Sequence, residues 1–197
     1  MKLIFGLGNP GEEYKDTRHN IGFLFIDRLS ELYKISLDIY RFQALIGKGE
    51  IVEEKILLVK PLCFVNDAGK SLYEVKQNYK VKNEDIIVIS DDVDLERGQI
   101  RIASKGGDGG HKGLRSIIQY LGTSDIPRMR VGIGRPEERM DLRNYVLGNF
   151  TFEERKIIKK SIDRATGAMK VIVIEGIEEA MREFNAFNLK KCGSRNL

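Results

Sequence analysis

A chain of 197 residues with 42% hydrophobic content is long enough to bury one core, and a formal charge of +4 with a pI near 9.0 suits a polyanionic partner. The absence of tryptophan and an aromatic content of 8% argue against a platform of exposed rings for single-stranded nucleic acid. Cys63 and Cys192 have no Cys or His at metal-ligand spacing, and no run approaches the ~20 apolar residues of a membrane span, so the chain reads as a cytoplasmic protein with free thiols and neither a structural zinc nor a disulfide framework.

The opening MKLIFGLGNPG is too short an apolar run for a signal peptide. Leu3 to Phe5, Ile56 to Val59 and Ile86 to Ile89 are continuous apolar runs of the kind that form strands buried on both faces. Ala44 to Val52 is expected to pair with Ile56 to Val59 as a hairpin, and Arg101 to Ala103 and Met129 to Ile133 are further strands. Between them, helical faces are formed by Ile21, Phe25, Leu29 and Leu32, by Val65, Ala68, Leu72, Val75 and Tyr79, and by Leu114, Ile117, Ile118 and Leu121. Thr151 and Glu154 form a capping-box signature, opening a charged helical stretch to about Asn185. Ile157, Ile158, Ile162, Ala165 and Met169 make its buried face. Val171 to Ile174 belongs to this helix rather than to a strand, and Gly176 divides the stretch in two. Strands alternating with helices define an α/β fold occupying residues 1–187, followed by a basic, mobile tail over 188–197.

Four polar clusters stand out: GLGNPG at Gly6 to Gly11, TRHNIG at Thr17 to Gly22, FVNDAG around Asn66, and SDDVD at Ser90 to Asp94. Three follow strands, so Asn9, His19, Asn66 and Asp91 are expected to converge outside the carboxyl ends of the sheet. Ordinary alternatives exist: Asn9 is a natural turn residue, Asn20 a helix cap, Asp91 and Asp92 loop acids, and His19 a surface histidine, although it is one of only two histidines in the chain. His111 lies in a second Gly-rich turn, GGDGGHKG, whose backbone N–H groups suit an anion at a helix start. GLGNPG also fits G-x-G-x-x-G, but Glu12 to Asp16 has no apolar face, and the acids at the right distance, Asp27 and Glu31, fall inside the Ile21 helix. A dinucleotide site is therefore rejected.

These clusters, with KPLCFVNDAGKS, DDVDLERGQIR, KGGDGGHKGLRSI and RMRVGIGRP in this order and spacing, resemble those of bacterial-type peptidyl-tRNA hydrolases from residue 1 to about 187. The resemblance implies a single-domain three-layer α/β/α sandwich with a central mixed, mostly parallel sheet, monomeric and cofactor-free. Its implied substrate is peptidyl-tRNA, engaged at the acceptor stem and 3′ end. It implies that His19 is the catalytic base and Asp91 its partner, and that Asn9, Tyr14, Val65, Asn66, His111 and Lys112 bind substrate. Arg130 falls on an arginine the family uses near the tRNA 5′-phosphate. The lysine that accompanies it would align with Ala103, leaving Arg101 or Lys105 to substitute. Val65 stands where the family commonly has Met, and Lys112 where it commonly has Asn. Arg115, Arg128 and Arg135 extend the basic half of the chain. With no G-x-S-x-G motif and no partner for Cys63, attack by water is expected rather than an acyl-enzyme. An RNA-binding protein without catalysis and a nucleotide-dependent reductase are the competing readings.

Overall fold

The apolar runs at Leu3, Ile56 and Ile86 become neighbouring parallel strands because both of their faces are covered. The computed structural model describes residues 1–136 and 140–186. Among these, the strands are β1 (Lys2–Gly6), β2 (Leu37–Arg41), β3 (Ala44–Ile51), β4 (Glu54–Pro61), β5 (Ile86–Asp92), β6 (Ile100–Ala103) and β7 (Arg128–Gly132). They form one sheet in the order β2-β3-β4-β1-β5-β7-β6. Its four central strands, β4-β1-β5-β7, are parallel, and antiparallel pairings add β3 and β2 at one edge and β6 at the other.

The helices are α1 (Ile21–Tyr33), α2 (Ala68–Tyr79), α3 (Lys112–Leu121), α4 (Leu142–Leu147), α5 (Phe152–Ile174) and α6 (Ile177–Asn185). Alternation along the strands divides the core in two. Ile4, Leu58, Ile87 and Ile89 pack with Phe25 and Leu29 of α1 and with Ile162 and Met169 of α5. Leu3, Phe5, Leu57 and Val88 point the other way, towards Leu72 and Val75 of α2 and Leu114 and Ile117 of α3. This is the expected three-layer sandwich. Gly22 lets α1 lie directly on the strands: a Cβ there would collide with backbone atoms of Leu7 and Ile89. At the exposed edge, the Asn185 carboxamide accepts from Ile102 N (2.8 Å) and donates to Ile102 O (2.9 Å), satisfying strand groups that would otherwise be open to another chain.

Several local expectations are corrected. β5 runs on to Asp92, so Asp91 lies within the strand rather than after it. The strand at Ala44 stops at Ile51, because Val52 and Glu53 take positive φ (50° and 66°) in the two-residue turn to β4. The strand at Met129 begins a residue earlier and ends at Gly132. Leu32, in the last turn of α1, is 46% exposed, and Ile157 is 42% exposed because it stands about 100° off the stripe formed by Ile158, Ile162, Ala165 and Met169. The capping box at Thr151 and Glu154 forms, Val171 to Ile174 is helical, and the break falls at Gly176 (φ 93°). The boundary at 187 and the tail 188–197 lie outside the described residues. No helix among the described residues is long and apolar enough to cross a membrane.

Candidate active site

Asp91 is placed by the period of β5. The alternation that sends Ile87 and Ile89 towards α1 sends Asp91 the same way, to the 3-10 turn Arg18–Asn20 that leads into α1. There its Oδ1 meets His19 Nδ1 at 2.8 Å. The same oxygen meets His111 Nε2 at 3.1 Å, and the two imidazoles lie 4.9 Å apart.

The protons in this triad are fixed by the backbone. His111 caps α3: its Nδ1 accepts from Gly113 N (3.1 Å) and Leu114 N (3.3 Å), so its proton is on Nε2 and is donated to Asp91. Asp91, an acceptor only, also takes the Nδ1 proton of His19, which leaves His19 Nε2 as the basic atom of a residue that lines the cavity. Burial opposes protonation of His19, but the charge and hydrogen bond of Asp91 outweigh it and raise its pKa above 6.5, with the Lys112 ammonium pulling the other way. Burial likewise opposes ionisation of Asp91, yet the charge and hydrogen bonds of the two imidazoles hold its carboxyl well below the usual range. His19, Asp91 and His111 are close enough together to invite a metal reading. A cation on His111 Nε2 would require its proton to move to Nδ1, against two backbone N–H groups, so the geometry is that of a hydrogen-bonded relay.

Of the two amide side chains, Asn9 is positioned as firmly. Asn20 does not cap α1; its side chain grips the backbone of Asn9, accepting from Asn9 N (2.8 Å) and donating to Asn9 O (2.9 Å). The Asn9 carboxamide oxygen accepts from Val65 N at 3.0 Å, so the amide's two N–H groups are the part left for a ligand. Val65 thus acts through its backbone, and its side chain packs where Gly113 lets α3 come close. Asn66, exposed in the 3-10 turn Val65–Asp67, has no hydrogen-bond partner among the described residues. Asn9, Tyr14, His19, Val65, Asn66, Asp91, Lys105, His111, Lys112 and Arg130 all line one cavity of about 760 Å³. Arg101 does not. It stands exposed on β6, opposite Arg130 in the strand register.

The basic set is smaller than the sequence suggested. Arg128 also lines the cavity, but it is buried and its guanidinium donates to the carbonyls of Gly107, Ser124 and Ile126, bracing the Gly-rich loop. Arg115 is paired with Asp108 and Arg135 with Asp94. Arg130 holds Asp92 at 2.6 Å while keeping a side chain about one-third exposed. Lys105 and Lys112 line the cavity without an ion-pair partner among the described residues. Cys63 is absent from the lining, and burial raises its thiol pKa, which disfavours the thiolate. Sequence reasoning missed an apolar wall made by Phe64, Val93, Leu142, Val146 and Leu147. Phe64, 54% exposed and edge-on to Tyr14 at 6.4 Å, lay in view within FVNDAG; α4 has only six residues, too few for a periodic signal.

Fold and site together define a class: single-domain α/β proteins in which a histidine, oriented by a buried aspartate, shares one cavity with asparagine amides and basic side chains. The family model for peptidyl-tRNA hydrolase matches residues 3–192. The peptidyl-tRNA hydrolase of Caldanaerobacter subterraneus subsp. tengcongensis is 48% identical over 94% of this chain and 100% of its own, and that of Bacillus subtilis 46% identical over 94% and 99%. The crystal structure of peptidyl-tRNA hydrolase from Acinetobacter baumannii superposes with a TM-score of 0.90 at 35% identity, covering 95% of this chain and 96% of that one. The chain belongs to the peptidyl-tRNA hydrolase family, an enzyme family whose reaction is the hydrolysis of peptidyl-tRNA. Neither the inactive RNA-binding alternative nor the reductase finds support: β1 leads into a loop and a 3-10 turn, and the next strand, β2, is an antiparallel edge strand.

Proposed function

We propose that His19 Nε2 takes a proton from a water that attacks the carbonyl carbon of the ester joining the peptide to the tRNA 3′ ribose. Asp91 holds the ring in the required tautomer and stabilises the imidazolium that forms. The N–H groups of Asn9 and Asn66 stabilise the tetrahedral oxyanion, one such donor being worth roughly 10²–10³ in rate. When the intermediate collapses, the imidazolium returns its proton to the departing ribose oxygen. The observation that carries this reading is the His19–Asp91 hydrogen bond of 2.8 Å, which leaves Nε2 free in a cavity lined by both asparagines. Release of tRNA from an N-acylated aminoacyl-tRNA, with and without the His19 substitution, tests it.

The basic side of the cavity, with Lys105, Lys112 and Arg130, faces the acceptor stem and the 3′ end. Phosphate contacts carry no sequence information, which suits an enzyme that accepts many tRNAs. Acting as a monomer in the cytoplasm, the enzyme returns tRNA from stalled translation. Arg130→Ala is expected to weaken binding of a full acceptor stem and to flatten the salt dependence of affinity by roughly one unit of slope, with turnover at saturation little changed. An unchanged slope in filter-binding titrations from low to high salt would remove Arg130 from the RNA interface.

Lys112 makes a separate test possible. Its charge opposes protonation of His19, so Lys112→Asn should raise the His19 pKa further and move the acid limb of kcat/KM to higher pH. If Lys112 also meets phosphate, the salt slope falls in the same variant. An acid limb that stayed in place would show that the ammonium does not reach the imidazole electrostatically.

A further inference from the structure

We propose that Glu154 is a positioning residue, a buried carboxylate behind the cavity that holds the His19 turn and the α4 wall in one arrangement through Arg18 and Arg97. The inference rests on the catalytic reading of His19 given above.

Glu154 does more than cap a helix. Its Oε2 accepts from Thr151 N at 2.8 Å, which completes the capping box, but a neutral glutamine serves that purpose as well. The negative charge is used elsewhere: Oε2 also takes Arg18 Nη2 at 2.7 Å, and Oε1 takes Arg97 Nη2 at 2.7 Å. Burial works against ionisation of this carboxyl, yet the Thr151 N–H and the two guanidinium groups hold it below the ordinary range.

Each arginine ties down a different part of the site. Arg18 immediately precedes His19, and its backbone N–H donates to Gly148 O at 3.1 Å. Its Nη1 donates to Tyr145 O at 3.3 Å, while the guanidinium lies over the Tyr145 ring at 4.4 Å and the Phe150 ring at 5.5 Å. Arg97 follows β5 and donates to the Tyr145 hydroxyl at 3.3 Å; that hydroxyl donates in turn to Ile133 O at 2.7 Å. Tyr145 belongs to α4, whose other faces send Leu142, Val146 and Leu147 into the cavity. None of Arg18, Arg97, Tyr145 and Glu154 lines the cavity itself. These groups act on substrate only by fixing what does.

A buried ion cluster is a poor source of net stability, whereas fixing one arrangement among several is a use to which it is suited. Misplacing a general base by a fraction of an ångström is costly in rate, so the Arg18 branch should be read in kcat and the Arg97 branch, through α4, in KM.

The test measures kcat, KM and Tm for Arg18→Met, Arg97→Met and Thr151→Ala on an N-acylated aminoacyl-tRNA, well below every Tm, with His19→Ala as reference. Arg18→Met is expected to lower kcat by roughly 10-fold to 10²-fold with KM nearly unchanged. Arg97→Met should raise KM several-fold and leave kcat near wild type. Thr151→Ala, which breaks the capping box and leaves both arginine pairs, should lower Tm alone. If Arg18→Met does not fold, Glu154→Gln, which preserves the capping hydrogen bond, is read by the same criterion. Wild-type kcat in Arg18→Met beside an inactive His19→Ala overturns the proposal, as does a kcat loss in Thr151→Ala equal to that in Arg18→Met. Activity surviving in His19→Ala sinks the catalytic reading and the kcat half of this one, while the Arg97→Met effect on KM still decides the α4 half.

Discussion

His19→Ala is expected to lower turnover by roughly 10²–10⁴ while leaving affinity for tRNA nearly intact. The base is removed, but the side chains offered to phosphate, Lys105, Lys112 and Arg130, stand on other elements. What survives in the variant is the contribution of binding and of the Asn9 and Asn66 donors, and it should lose the acid limb that titration of His19 gives the wild type. Stability supplies an independent check with a definite sign. The folded pKa of His19 is raised, so its pairing with Asp91 stabilises the protein fully below the unfolded value of about 6.5 and is lost as pH rises through the folded value. Asp91 is depressed, so the pair also weakens in acid as pH falls below about 4, the unfolded value, towards the folded one. The difference in Tm between wild type and variant should therefore be largest near pH 5 and shrink above neutrality. Near-normal turnover in single-turnover assays would rule out His19 as the base, whatever the Tm values show.

The sheet was legible in the sequence because three of its four central strands, β4, β1 and β5, are buried on both faces and so appear as unbroken apolar runs. The β2 edge was not. β2 has the alternation of a half-buried strand, with Leu37 and Ile39 turned inward and Asp38 and Tyr40 outward, but it is five residues long. The turn that follows it is built by Phe42 and Gln43 at positive φ, where the usual Asn-Gly signal is missing. The site divides in the same way. The polar residues that touch the cavity stand in places where local structure does not require polarity, and they stood out as clusters. Residues that hold them did not, because Asn20, Arg18 and Glu154 each have an ordinary local explanation as a cap, a surface cation or a capping-box acid. Only the long-range contacts, from residue 20 to residue 9 and from residue 18 to residue 154, give them their second role. The basic residues failed in the opposite direction: Arg128 is as visible in sequence as Arg130, and only burial and its three carbonyl partners set it apart from the partly exposed Arg130.

Asp91→Asn is expected to lower the plateau of kcat/KM by about 10²–10⁴ and to move its acid limb to lower pH. The two effects have one origin. Without the carboxylate charge, burial and the Lys112 ammonium are left as the dominant influences on His19, and both lower its pKa. More of the imidazole is then neutral near pH 6, yet each neutral imidazole is a weaker base and the imidazolium formed in the transition state has lost its counter-ion. A carboxamide can also turn its NH₂ towards His19, which would demand the wrong tautomer and bring Nε2–H rather than a lone pair into the cavity. Loss of a merely structural contact would lower the plateau without shifting the limb. Asp92→Asn is the matched control, because period-2 alternation turns Asp92 away from Asp91. Its Oδ2 holds Arg130 at 2.6 Å, and its Oδ1 accepts from Asp94 N at 2.8 Å. That variant should keep the wild-type acid limb and most of its turnover, with any change appearing in RNA affinity and its salt dependence. If the shift in the acid limb appeared in Asp92→Asn and not in Asp91→Asn, the histidine would be taking its charge partner from the other face of β5, and the proton relay would run through Asp92 instead.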